Sequence, residues 1–152
     1  MKKKVAELKV CSRYGVETSI ASFFTAFVAG RQDDQKRLAQ IRIAIHEACI
    51  NAIEHGNKKD ESKWIYSEIF EADDFFEIVI IDEGESFYIP DPKTVPTREE
   101  MEKKIEGAGR RNKNNRGMGR YFMFYFADEV TYEKNKPHGT KVILKLLIKQ
   151  ET

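Results

Sequence analysis

The stretch Leu38-Ala39-Gln40-Ile41-Arg42-Ile43-Ala44-Ile45-His46-Glu47-Ala48-Cys49-Ile50-Asn51-Ala52-Ile53-Glu54-His55-Gly56 decides how this chain is read. Leu38, Ile41, Ile45, Ala48 and Ala52 recur at helical steps and make one apolar stripe, the mark of an amphipathic helix with a buried side. Glu47 and Asn51 stand one turn apart on a single face, so a carboxylate and an amide can address the same ligand. Asp33 and Asp34 suit the positive end of the helix dipole, and Gly56 is expected to close the helix. Alone, the segment reads first as a surface helix with an ordinary polar face.

Outward from this helix the pattern alternates between strands and helices. Upstream, Lys4 to Cys11 reads as an edge strand. Ile20, Phe23, Phe24, Phe27 and Val28 then recur at helical spacing, with Ser12 as the expected cap and Gly30 as the stop. Downstream, Ser62 to Glu71 and Phe75 to Ile81 are rich in β-formers and separated by Asp73-Asp74, which predicts a hairpin. The run Ile78-Val79-Ile80-Ile81 suits a central strand. Pro90, Pro92 and Pro96 break regular structure, and a short helix is expected from Thr97 to Gly107. Arg110, Arg111, Lys113 and Arg116 follow, mixed with asparagines and with no acid between them, the composition of a lid-type excursion. Gly117-Met118-Gly119 launches Arg120 to Ala127, apolar almost all round and expected to be a buried helix. Asp128 to Glu133 and Thr140 to Ile148 complete an antiparallel pair. Strands in pairs predict an α+β fold: a two-layer α/β sandwich whose mixed, mostly antiparallel sheet carries its helices on one face.

Composition sets the outer limits. With 152 residues, 41% hydrophobic, residues 1–152 are expected to form one domain able to bury a substantial core. A formal net charge of +1 gives no global drive toward nucleic acid or an anionic membrane, and the basic run has few interleaved aromatics. Cys11 and Cys49 lack metal-site spacing and are read as reduced and packed. The basic Met1-Lys2-Lys3-Lys4 is not followed by an apolar signal segment, and no run of roughly 18 apolar residues occurs, which favours the cytoplasm.

The polar features are those a nucleotide site needs. Asp82, at the end of an apolar strand, can accept a hydrogen bond from an exocyclic amine, and Gly84 lets a purine approach the backbone. Asp82 has an alternative reading as a turn residue. Gly117 and Gly119 leave backbone N–H groups at a helix start, where phosphate binds, and Arg110, Arg111 and Arg116 can close over it. Asn51 offers a neutral oxygen to Mg²⁺, and Glu47 stands where a general base for an attacking hydroxyl belongs.

These residues resemble the GHKL group with the Bergerat ATP-binding fold. Glu47-Ala48-Cys49-Ile50-Asn51-Ala52-Ile53-Glu54-His55-Gly56 matches its N-box, and Asp82-Glu83-Gly84-Glu85-Ser86-Phe87 its first glycine box. Arg116-Gly117-Met118-Gly119, with Asp128-Glu129-Val130 and Gly139-Thr140, matches the second. Within the group the chain looks most like the anti-sigma factor serine/threonine kinases of bacterial partner-switching systems. Ser86 stands where many relatives of the wider fold carry a glycine, which argues against a histidine-kinase-type site. The resemblance implies ATP and Mg²⁺ as cofactors, Glu47 as the catalytic base, Asn51 as metal ligand and Asp82 as adenine reader. It implies that His55, Gly56, Gly84, Arg116, Gly117, Met118, Gly119 and Thr140 complete the cofactor pocket, under an ATP lid at about residues 85–116. As substrate it implies a STAS-domain anti-anti-sigma protein, whose unphosphorylated form releases a sigma factor from the kinase, and it implies a homodimer. The alternative is a non-catalytic module that binds ATP only to switch partners.

Overall fold

Alternating side chains and paired turns fold into a five-stranded sheet in the order β1-β2-β3-β5-β4. The computed structural model describes residues 1–85, 87, 91, 95–108 and 119–148. Along the chain come β1 (Lys3–Cys11), α1 (Val16–Ala29) and α2 (Gln35–Asn51), which runs on through a π-helical turn (Ala52–Gly56). Then follow β2 (Trp64–Glu71), β3 (Phe75–Ile81), α3 (Arg98–Ala108), α4 (Gly119–Phe126), β4 (Glu129–Lys134) and β5 (Thr140–Leu147). All four strand pairings are antiparallel, so the expected mostly antiparallel sheet has no parallel pair among the described residues. β1 takes the edge and β3 the centre, as expected.

Register explains why the helices lie on one face. Ile78 of β3 stands opposite Ile69 of β2 and Leu144 of β5, and Ile80 opposite Ser67 and Val142. That row, with Ile65, Phe76 and Leu146, is buried against Ile20, Phe24, Leu38, Ile41, Ile45, Ala48 and Ile53 of the helical layer. Burying each such side chain contributes about 1.5–3 kcal/mol, so a one-residue slip would turn the whole row to solvent. The other face keeps Trp64 and Tyr66 exposed, with the Lys9 ammonium 4.3 Å from the Trp64 ring centre and that of Lys145 4.6 Å from Phe75.

Caps and cross-links hold the helices in place. Asp34 caps α2 by accepting hydrogen bonds from the N–H groups of Lys36 and Arg37 at 3.0 and 3.2 Å. Ser12 does not cap α1. The cap position is Gly15, at φ 107°, and its N–H donates to the Glu17 carboxylate at 2.6 Å, while Ser12 is fully buried. A carboxylate one residue inside the helix reaches back more readily than a hydroxyl on the preceding strand end. α4 also departs from expectation: Met123 is buried, but Tyr121, Phe122, Phe124, Tyr125 and Phe126 are only half-buried, because α4 flanks α2 rather than entering the core. Arg37 ties the two helices, donating to the Phe126 carbonyl at 2.7 Å and the Asp128 carboxylate at 2.6 Å. No helix among the described residues is long and apolar enough to cross a membrane.

Candidate functional site

The site is built where the end of α2 meets the end of β3. The stripe Leu38, Ile41, Ile45, Ala48 and Ala52 is buried as predicted, which leaves Glu47 and Asn51 on a half-buried flank. Beyond Asn51 the helix widens: the N–H of Asn57 donates to the carbonyl of Ala52 at 2.8 Å, a five-residue step in place of the α-helical four. The chain then reverses at Lys58 and Lys59, with φ of 52° and 62°.

Gly56 ends the helix, as expected. It is the last residue of the π turn, and a Cβ there would overlap the carboxylate of Asp82. A Cβ on Gly84 would run into the carbonyl of Gly56, and one on Gly139, at φ 99°, into the carbonyl of Asp82. Three backbone segments close around one acid, and only residues without side chains permit it.

Asp82 itself is buried, with 4% of its surface exposed. Its Oδ1 accepts hydrogen bonds from the N–H groups of Gly84 at 2.8 Å and Thr140 at 3.1 Å. Both fall on one oxygen, and Oδ2 faces Gly56. Burial pushes the carboxyl above the usual carboxylate range, against the opposing pull of those two N–H groups. Such an acid is held in one orientation and gains from a further donor, such as an amine.

Asn57, which sequence reasoning passed over, sets this geometry. Fully buried, it donates from Nδ2 to the Trp64 carbonyl at 3.1 Å and accepts from the Glu83 N–H at 2.8 Å. Glu83 in turn accepts from the Trp64 N–H at 2.6 Å. The end of α2 is thus fastened to β2 and to the Asp82–Gly84 turn. An asparagine after His-Gly carries no pattern that separates it from an exposed turn residue.

Glu47 keeps 18% of its side-chain surface exposed, and burial pushes its carboxyl above the ordinary value, with Glu54 adding to the rise and His46 opposing it. A carboxylate so raised is a better proton acceptor than one in water. Cys49, two residues on, is fully buried, and its thiol is pushed far up by burial, so it is an inert packing group.

The Arg37–Phe126 bond sets the C-terminal end of α4 at the start of α2, which directs Gly119, at the other end of α4, toward the half of α2 that bears Glu47 and Asn51. A helix N-terminus there favours phosphate. The structure thus brings Gly56, Asp82, Gly84 and Thr140 together and sets Glu47, Asn51 and the exposed His55 on the helix and π turn leading into them. Arg116, Gly117 and Met118, together with Ser86, Arg110 and Arg111, lie outside the described residues.

Comparison with known proteins agrees with this geometry. Residues 15–146 match a family model described as a histidine kinase-like ATPase domain. An anti-sigma F factor of Clostridium perfringens (strain SM101 / Type A) is 33% identical over 126 residues, covering 80% of each chain. Another, from Clostridium novyi (strain NT), is 30% identical over 131 residues, 82% of this chain and 80% of the relative. A third, from Geobacillus sp. (strain WCH70), is 30% identical over 126 residues, covering 81% and 78%.

Proposed function

Because the chain belongs to the histidine kinase-like ATPase domain family, with anti-sigma F factors among its relatives, we propose that it is an ATP- and Mg²⁺-dependent protein serine/threonine kinase. Its substrate is a STAS-domain anti-anti-sigma protein, and its second partner a sigma factor that it sequesters. It works as a homodimer in the cytoplasm, with residues 1–152 forming one kinase domain. The observation that carries this reading is Glu47, a burial-raised carboxylate one turn before Asn51 on the helix whose end closes around Asp82.

Asp82 accepts the adenine amine at Oδ2, while Oδ1 stays tied to Gly84 and Thr140. Absence of a side chain at Gly84 lets the Gly56 carbonyl close against this turn, which holds Asp82 in place for the purine. Backbone N–H groups at the start of α4 hold the phosphates. Glu47 takes the proton of the partner's hydroxyl as that oxygen attacks the terminal phosphorus, and ADP leaves.

Asn51 is the residue that would hold Mg²⁺. The donor fits: Asn51, half-buried on the flank of α2, offers one neutral amide oxygen, the kind of ligand Mg²⁺ takes beside phosphates and water. When bound, the ion neutralises charge on the phosphate oxygens during transfer.

The test is to incubate the protein with labelled ATP and a STAS-domain partner. Wild type transfers label to a serine or threonine of the partner, and Glu47→Ala slows transfer by about 10²- to 10⁴-fold. ATP binding with no labelled product overturns the kinase in favour of a non-catalytic switch, and an undiminished rate in Glu47→Ala overturns the role of Glu47 as the base.

A further inference from the structure

His46 has no part in the transfer just described, yet its Nδ1 lies 3.7 Å from Oε1 of Glu47. Adjacent positions on an α-helix point about 100° apart, so neighbouring side chains do not ordinarily meet. Here they converge at the rim of the site. The imidazole is the more exposed of the two, at 37% against 18%. It therefore sits on the water side of the carboxylate.

The electrostatic surroundings make this neighbour matter. Burial and the Glu54 carboxylate both favour the protonated form of Glu47, and His46 is the group that opposes them. Among the described residues, no charge on the elements packed against α2 bears on Glu47. Glu17 of α1 accepts from the Gly15 N–H and bears on Cys49. Titratable groups among the described side chains of α4 are the phenols of Tyr121 and Tyr125, and Tyr125 bonds to Glu102 of α3. Asp82, after β3, is engaged with Gly84 and Thr140, and Lys145 of β5 lies over Phe75.

We propose that His46 is a positioning residue for Glu47, its protonated imidazole holding the adjacent carboxylate in the ionised, proton-accepting form. The catalytic consequence rests on the kinase reading; the coupling itself is a property of the folded chain. Histidine changes charge across near-neutral pH. Phosphotransfer therefore persists to lower pH than in a chain whose base lacks this neighbour.

The experiment compares wild type, His46→Gln and His46→Lys by two readouts. One is the pH profile of kcat and of KM for ATP in transfer to a STAS-domain partner. The other is the titration of the Glu47 carboxyl carbon by NMR. His46→Gln is expected to move the acid limb of kcat and the carboxyl titration upward by about half a pH unit, with KM for ATP unchanged. His46→Lys, a permanent cation, is expected to restore both. Coincident acid limbs and coincident carboxyl titrations in the three proteins overturn the proposal. A wild type that transfers no phosphoryl group overturns the kinase reading, and the carboxyl titration then decides by itself whether His46 acts on Glu47.

Discussion

Gly56 and Asp82 meet so closely that the space a Cβ on Gly56 would need is filled by the Asp82 carboxylate. One is on the last turn of α2 and the other follows β3, so their contact joins the helical layer to the sheet at the site itself. Replacing Gly56 by alanine must displace either the acid or the π turn. Gly56→Ala is expected to cost about 1–3 kcal/mol in urea denaturation. Gly30→Ala serves as the control, since Gly30 has an ordinary helical φ of −67° and only the Phe27 carbonyl near its Cβ position, and is expected to change stability by less than about 0.5 kcal/mol.

Asp82→Asn separates binding from folding. The amide oxygen still accepts from Gly84 and Thr140, so apo stability is expected to hold near neutral pH or rise. On the proposed reading of Asp82 as acceptor for the adenine amine, loss of the charge is expected to weaken ATP and ADP binding by about 1.5–3 kcal/mol, read by calorimetry.

The same acid predicts a pH dependence. Its folded pKa is raised above the ordinary 3.8, so the folded chain holds this proton more tightly than the unfolded one. Its contribution to stability is therefore lost as pH rises from the ordinary value through the raised one, and stays lost above it. The Asp82→Asn chain lacks that component. Denaturation of both proteins across acid pH should show the asparagine variant gaining on wild type as pH rises.

Asn57→Ala removes the donor to the Trp64 carbonyl and the acceptor for the Glu83 N–H, in a position with no exposed surface. Two part-buried backbone groups lose partners, so a destabilisation of about 1–3 kcal/mol is expected in denaturant titration. ADP affinity should fall with it, because the turn carrying Asp82 and Gly84 is no longer fixed.

Arg37 makes the comparable test away from the site. Its guanidinium, 12% exposed, joins the Phe126 carbonyl to Asp128, whose Oδ2 also accepts from the Leu147 N–H at 2.7 Å. Arg37→Ala is expected to cost about 2–4 kcal/mol, read as a lower denaturation midpoint.

Patterning revealed most of the fold because the residues that carry it act locally. The stripe of α2, the β2–β3 hairpin at Asp73-Asp74 and the Asp34 cap are each written within a few residues. Ser12 misled because the competing carboxylate of Glu17 reaches back to Gly15 only once α1 has formed. The aromatics of α4 suggested burial, yet a helix packed on the flank of α2 covers only part of its circumference. At the site, the residue types of Glu47, Asn51 and Asp82 were legible because their chemistry is. Asn57 and Arg37 were not, because their partners are backbone carbonyls and N–H groups far along the chain, and backbone groups leave no trace in a sequence.

The π turn after Asn51 fixes the number of residues between the helix and the acid. Because the Asn57 N–H reaches back to Ala52, one residue more is fitted into this turn than an α-helix would take. Deleting one position between Asn51 and Gly56 would leave Glu47 and Asn51 where they are while rotating the glycine away from Asp82. The interval is thus intolerant of length change. A sequence aligned here with a gap has the helix but not the site.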